Sequence, residues 1–129
     1  ANKPVIPACT SAGVFGMVSI DMVGFGDVFN VRSLRVAPQT VVGSLQSRGV
    51  YVGQPVYFLL DPSRSGWSDH EAFEFAGIPA AWLEWREDPV YHTVYDTAAH
   101  VDPDRVRTSG RLLRGWLLAL SPSALDAWR

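Results

Sequence analysis

The sequence predicts an α/β sandwich, a parallel or mixed sheet covered by helices. Three observations carry this. Short, almost wholly apolar runs recur at 14–20, 56–60 and 78–85, the pattern of strands buried on both faces. Segments with helical punctuation lie at 38–48, 68–76 and 103–120. The two kinds of segment alternate along the chain, which favours an α/β architecture over separate helical and sheet layers.

Taken in order, 1–12 (ANKPVIPACTSA) holds two prolines and no periodicity, and reads as an irregular lead-in. VFGMVSI at 14–20 is the first strand. It stops at Asp21, and MVGFG follows as a turn. PQTVVGSLQSR at 38–48 opens on proline and ends before Gly49, which suits a short helix. VYFLL at 56–60 is the second strand, closed by Asp61 and Pro62, and PSRSGW at 62–67 is a loop. Ser68 or Asp69 caps a brief helix through Ala76, with Gly77 at its end. IPAAWLEW at 78–85 is the third strand, and the polar stretch 86–100 is a long connection. Asp102 and Pro103 start the last helix, which places Leu112, Leu113, Trp116, Leu117 and Leu120 at helical spacing until Pro122 ends it.

The 129 residues are enough for one domain with a real core, and 47% hydrophobic against 19% charged excludes a disordered or fibrous chain. The formal net charge is −2 and no basic block occurs, so nothing invites nucleic acid or an anionic membrane surface. WLLAL at 116–120 is among the longest apolar runs, far short of the roughly 20 residues of a membrane span. Cys9 is the only cysteine, so no internal disulfide forms. A lone thiol is ordinarily a buried hydrophobe, although pairing outside the chain stays open.

In open α/β sheets, ligands sit beyond the carboxyl ends of the strands. Asp21 directly follows the first strand and His92 lies in the loop after the third. Each also has an ordinary reading, the aspartate as a turn former and the histidine as an exposed loop residue. Asp96 and Asp102 have one too, as ties that hold the same loop. Spacing alone does not decide between these readings.

The wording of three segments does. SIDMVG at 19–24, SDHEAFEFAGIPA at 68–80 and YHTVYDTAAHVDPDRV at 91–106 resemble, in order, motifs of the co-catalytic di-zinc aminopeptidases. These share a superfamily with glutamate carboxypeptidases and glutaminyl cyclases. The resemblance spans 14–120 and implies a three-layer sandwich with a mixed, mainly parallel sheet, zinc-exopeptidase-like, of which residues 1–129 form the C-terminal part of one catalytic domain. It implies Asp21 as a zinc ligand that also helps hold the substrate's free ammonium, and His92 as a ligand of the second zinc. Tyr91 would donate its hydroxyl to the oxyanion. Asp69 and Asp96 would support the site from one layer further out, Asp69 by holding the loop that carries His92. Gly77, Ile78 and Pro79 would form a helix-to-strand turn.

Departures accompany the match. Val94 stands where proline is usual. Trp67 stands where some relatives place a substrate-contacting arginine, with Arg64 three residues earlier; Trp67 is then a candidate pocket wall. The family's His-x-Asp string, which bridges the zincs, and its Glu-Glu pair with the general base have no counterpart in this sequence. His70 and His100 do not supply one. The expected function is therefore an aminopeptidase removing N-terminal residues from peptides with two zinc ions, this chain being an incomplete and inactive part. The alternatives are a non-catalytic, peptidase-like binding domain and an acyltransferase of the glutaminyl-cyclase kind. Expected partners are peptides with a free N-terminus, and either the missing N-terminal half or a second copy, because an unpaired strand edge and the apolar undersides of Leu112, Leu113, Trp116 and Leu117 would stand exposed. Among locations, secreted or periplasmic is favoured over cytoplasmic.

Overall fold

The computed structural model describes residues 13–61 and 66–128. The lead-in at 1–12 with Cys9, the loop residue Arg64 and Arg129 lie outside them. The elements are β1 (Met17–Ile20), β2 (Val28–Ser33), α1 (Thr40–Tyr51), β3 (Tyr57–Leu60), α2 (His70–Phe75), β4 (Ala80–Arg86), α3 (Pro103–Ala119) and α4 (Pro122–Asp126), with a 3-10 turn at Ala98–His100 before α3. The sheet order is β1-β4-β2-β3. β1 runs parallel to β4 and β2 parallel to β3, while β2 and β4 are antiparallel. The sheet is thus mixed and mainly parallel, as expected.

β4 is the organising strand. Ala81, Leu83 and Trp85 point to one face, where α1 and α3 cover them together with Phe29 and Val31 of β2 and Val41, Leu45, Leu112 and Trp116 of the helices. Phe29 stacks on Trp85, its cross-strand partner, with ring centroids 4.5 Å apart. Burying each such aromatic removes 150–250 Å² of surface from water, or about 4–6 kcal/mol at 25 cal/mol per Å². The opposite face of the sheet carries Trp82 and Glu84 of β4 and Arg32 of β2, and α2 packs on that side.

Four details differ from the sequence reading. β2 was not expected, because Asn30 and Arg32 interrupt its apolar run; Asn30 stands opposite Glu84 in the register and Arg32 bonds to it. β1 starts at Met17 rather than Val14. The helix from Thr40 runs through Gly49 instead of stopping before it. A Cβ on Gly49 would lie 2.6 Å from the Gln54 carbonyl oxygen, so this glycine permits a close approach and terminates nothing. Pro122 follows the end of α3, as expected, but also opens α4 under a Ser121 cap.

The helix α3 begins as predicted, with the Asp102 side chain accepting the Asp104 N–H at 2.8 Å. Leu112 and Trp116, however, are not exposed. Leu112 is buried in the core, and the Trp116 indole donates to Ser44 of α1 at 2.9 Å. What remains open is a groove of about 460 Å³ between β1 and α3, lined by Val18, Ile20, Leu113, Trp116, Leu117 and Trp128. Ile20 and Leu117 are more than half exposed there, and β1 is an edge strand.

Candidate active site

Because β1 and β4 are parallel and in register from Met17↔Ala80 to Ile20↔Leu83, they deliver their following loops to the same end of the sheet. Asp21 is the first residue past β1. Its N–H still bonds the Leu83 carbonyl at 3.3 Å, and its carbonyl accepts the Trp82 indole N–H at 3.2 Å. Met22 continues the pairing by accepting the Trp85 N–H at 3.0 Å. The loop then turns at Gly26, where φ is +136° and a Cβ would fall 2.2 Å from the Arg86 carbonyl oxygen. Only glycine fits this approach.

The loop after β4 is held by a small polar knot. One Asp88 carboxylate oxygen accepts the Val90 N–H at 2.9 Å and lies 3.0 Å from Nε2 of His100. The His100 ring packs on Phe25 with centroids 4.0 Å apart, and the Asp102 N–H bonds the Gly24 carbonyl at 2.7 Å. These contacts fasten the loop after β4 to the loop after β1. Between them is a cleft of about 360 Å³ lined by Asp21, Met22, Tyr91, His92, Asp96 and His100, among others. Tyr91 and His92 stack with ring centroids 3.8 Å apart. Met22 and His92 have φ of 57° and 56°. Non-glycine residues in this left-handed region are sparsely populated and cluster at functional sites.

The structure therefore brings Asp21, Tyr91, His92 and Asp96 together at one cleft. Trp67 lines a second, adjoining cleft of about 270 Å³, which shares Met22, Asp88 and Tyr91 with the first. Asp69 is not brought in. It is exposed at the start of α2, and no side-chain hydrogen bond of Asp69 to the loop of His92 occurs among the described residues. The expected support from Asp69 is instead given by Asp88 and His100. Gly77 does form the helix-to-strand turn, at φ +79°, with its N–H bonded to the Glu74 carbonyl.

Behind the clefts lies a buried polar layer that the sequence did not disclose. His70 is fully buried, with Nε2 3.6 Å from Asp61 and 3.9 Å from Glu74. Burial holds its pKa below the usual 6.5, against the opposing pull of Glu74, Asp61 and Glu71. Glu74 accepts the Ser33 hydroxyl at 3.0 Å and the N–H groups of Leu34 at 2.9 Å and Val36 at 3.2 Å. Glu84 is likewise buried, which raises its pKa, while its bond to Arg32 pulls the other way. A charged residue inside the apolar run 78–85 was the one local signal for Glu84; its partner lies 52 residues away.

The chain is thus an α/β domain with helices on both faces of a mixed sheet and with a carboxylate, a phenol and an imidazole in the crevice past two parallel strands. The chain belongs to peptidase family M28, whose family model matches residues 10–117. Among solved structures, the zinc aminopeptidase BSAP from Bacillus subtilis is similar at 26% identity with a TM-score of 0.67, over 79% of this chain and 27% of that one. An aminopeptidase from Aneurinibacillus sp. strain AM-1 shares the fold at 23% identity and TM-score 0.71, over 80% of this chain and 25% of that one. The LapA aminopeptidase of Legionella pneumophila does so at 21% and 0.66, over 78% and 30%. This chain thus spans about a quarter to a third of the length of these aminopeptidases. The comparison with curated proteins gives no match. No helix among the described residues is long and apolar enough to cross a membrane.

Proposed function

We propose that these 129 residues are the C-terminal part of a two-zinc aminopeptidase domain and are inactive alone. The observation that supports this most directly is the meeting of Asp21, Tyr91 and His92 at one cleft in a chain of family M28. A carboxylate oxygen and an imidazole nitrogen are zinc donors in kind. Among the described residues, however, no three His, Cys, Asp or Glu side chains gather as a metal-binding group. The donor set therefore fits zinc in chemistry and falls short in number, and the remaining ligands and the general base would come from outside this sequence.

Zinc, when bound, would polarise the scissile carbonyl and lower the pKa of a water. In this reading Asp21 would hold one ion and His92 the other, and the negative charge of Asp21 attracts the ammonium group of a peptide N-terminus. Tyr91, stacked on His92, donates its phenol hydrogen to the oxygen that becomes anionic as the peptide bond is attacked. Asp96 stands at the rim of the same cleft, where it adds negative potential near the ammonium. The Asp88–His100 knot keeps the Tyr91–His92 turn against the loop of Asp21.

The test has two arms. The pure chain with added zinc should not hydrolyse leucine p-nitroanilide, and chelator-sensitive turnover by it would overturn the incomplete-site reading. The complete domain that contains these residues should be active. There Asp21→Ala and His92→Ala should abolish turnover, and Tyr91→Phe should lower kcat by about 10²–10³. A complete domain that binds peptides without cleaving them would refute the peptidase reading.

A further inference from the structure

The second cleft has a built floor. Arg32 reaches into it from β2, with its guanidinium carbon 4.8 Å from the centroid of Trp82 and 5.7 Å from that of Trp67. Its Nε bonds Glu84, and the side chains of the two residues are 11% and 0% exposed. An arginine carries five N–H donors. Glu84 takes the one on Nε, and no acceptor for the other four occurs among the described residues. Beside this pair Arg86 Nε also lacks a hydrogen-bond partner among the described residues, whereas Asn30 stands opposite Glu84 and its side chain hydrogen-bonds that carboxylate. Native interiors leave few such atoms, and each calls for a reason.

Stability does not supply that reason. A buried ion pair is often no better than apolar residues of the same volume. The other charges of the cleft are already engaged, Glu87 with Arg86 at 3.4 Å and Asp88 with His100 and the Val90 N–H. A guanidinium fixed between two indoles, with its terminal nitrogens unspent, is preorganised to grip a planar anion through paired hydrogen bonds.

We propose that this cleft is a carboxylate-reading subsite, with Arg32 as the residue that contacts the carboxylate and Trp67 as its wall. The ligand class is a short peptide whose carboxylate reaches past Tyr91, either its own C-terminus or an acidic side chain. The inference deepens the peptidase reading and rests on it, since Met22, Asp88 and Tyr91 are common to the two clefts. Trp82 links them physically, with its ring face under Arg32 and its indole N–H on the Asp21 carbonyl.

The probes are glycylglycine, with a terminal carboxylate, glycylglycinamide, with none, and glutamylglycinamide, with a side-chain carboxylate. On the 129-residue chain without zinc, the indole N–H resonances of Trp67 and Trp82 are followed by NMR during each titration. At least one carboxylate probe should bind about tenfold or more tightly than glycylglycinamide. Which of the two does so identifies the source of the carboxylate. Arg32→Lys should erase most of that preference, because an ammonium lacks the planar fork. Arg32→Met leaves Glu84 unpaired and can misfold, so Arg32→Met with Glu84→Met is the second variant, and it should erase the preference entirely. Equal binding of all three probes, or a preference that survives in both variants, overturns the proposal. In the complete domain the same variants should raise the KM for carboxylate-bearing peptides relative to the KM for glycylglycinamide. Peptidase activity with no such shift would sink the subsite and spare the peptidase reading. Carboxylate binding by a domain without peptidase activity would do the reverse.

Discussion

Glu74 is where the buried polar layer can be weighed. It sits on α2, yet its carboxylate accepts from Ser33, Leu34 and Val36, at and just past the end of β2. Leu34 and Ser33 are buried whereas Val36 is exposed, so in Glu74→Ala the Val36 N–H finds water and the other two donors do not. Each buried donor left without an acceptor costs about 1–3 kcal/mol, which gives about 2–6 kcal/mol in all. Glu74→Gln keeps one oxygen for the Leu34 N–H but turns an NH₂ toward the remaining donors, so the loss should be about 1–3 kcal/mol by the same figures. With a urea m-value of about 2 kcal/mol per M for a chain of this size, the Ala variant should unfold at a midpoint lower by about 1–3 M, at unchanged m. The assay is equilibrium unfolding followed by tryptophan fluorescence. A Glu74→Ala midpoint within about 0.3 M of wild type, or equal losses for Ala and Gln, would show that α2 does not hold the end of β2 through this carboxylate.

Two further outcomes follow from other features. The depressed pKa of His70 means that the unfolded chain takes up a proton below about pH 6.5 which the folded chain resists. His70 therefore contributes a fall in stability as pH drops from about 6.5 toward 5, by no more than about 1.4 kcal/mol per pH unit, opposed by Glu84, whose raised pKa acts the other way, and His70→Gln should remove the His70 contribution from the slope in urea titrations at several pH values. An identical slope would place the titration elsewhere. The groove between β1 and α3 should make the chain associate with rising concentration, as read by light scattering, and Ile20→Lys with Leu117→Lys should suppress this. A wild-type chain that stays monomeric at all concentrations would refute that expectation.

Much of the fold was legible because the apolar runs of β1, β3 and β4 and the capping residues around α3 are local signals. β2 was not, since its Asn30 and Arg32 are tolerated inside only by virtue of Glu84 on a strand far away in sequence. Gly49 misled for a related reason. A glycine that ends a helix and one that admits a neighbouring carbonyl look the same in a string of letters. Of the residues lining the first cleft, Asp21, Tyr91 and His92 are named by motif wording, and their common position follows from the parallel pairing of β1 with β4. The Asp88–His100 knot and the Arg32–Glu84 pair were not, because each depends on a distance set by tertiary packing rather than on spacing. Asp69 was over-read for the same reason. The interior position beside it belongs to His70, one residue along the helix.

Trp82 constrains how this chain can diverge. One face of its indole supports the guanidinium of Arg32, while its N–H fixes the peptide group between Asp21 and Met22. Mutational drift that retunes one cleft through this position necessarily disturbs the other, so the two cannot be optimised separately by changes at residue 82. Directed evolution toward new peptide preferences should accordingly accept changes at Trp67, on the rim, and reject them at Trp82.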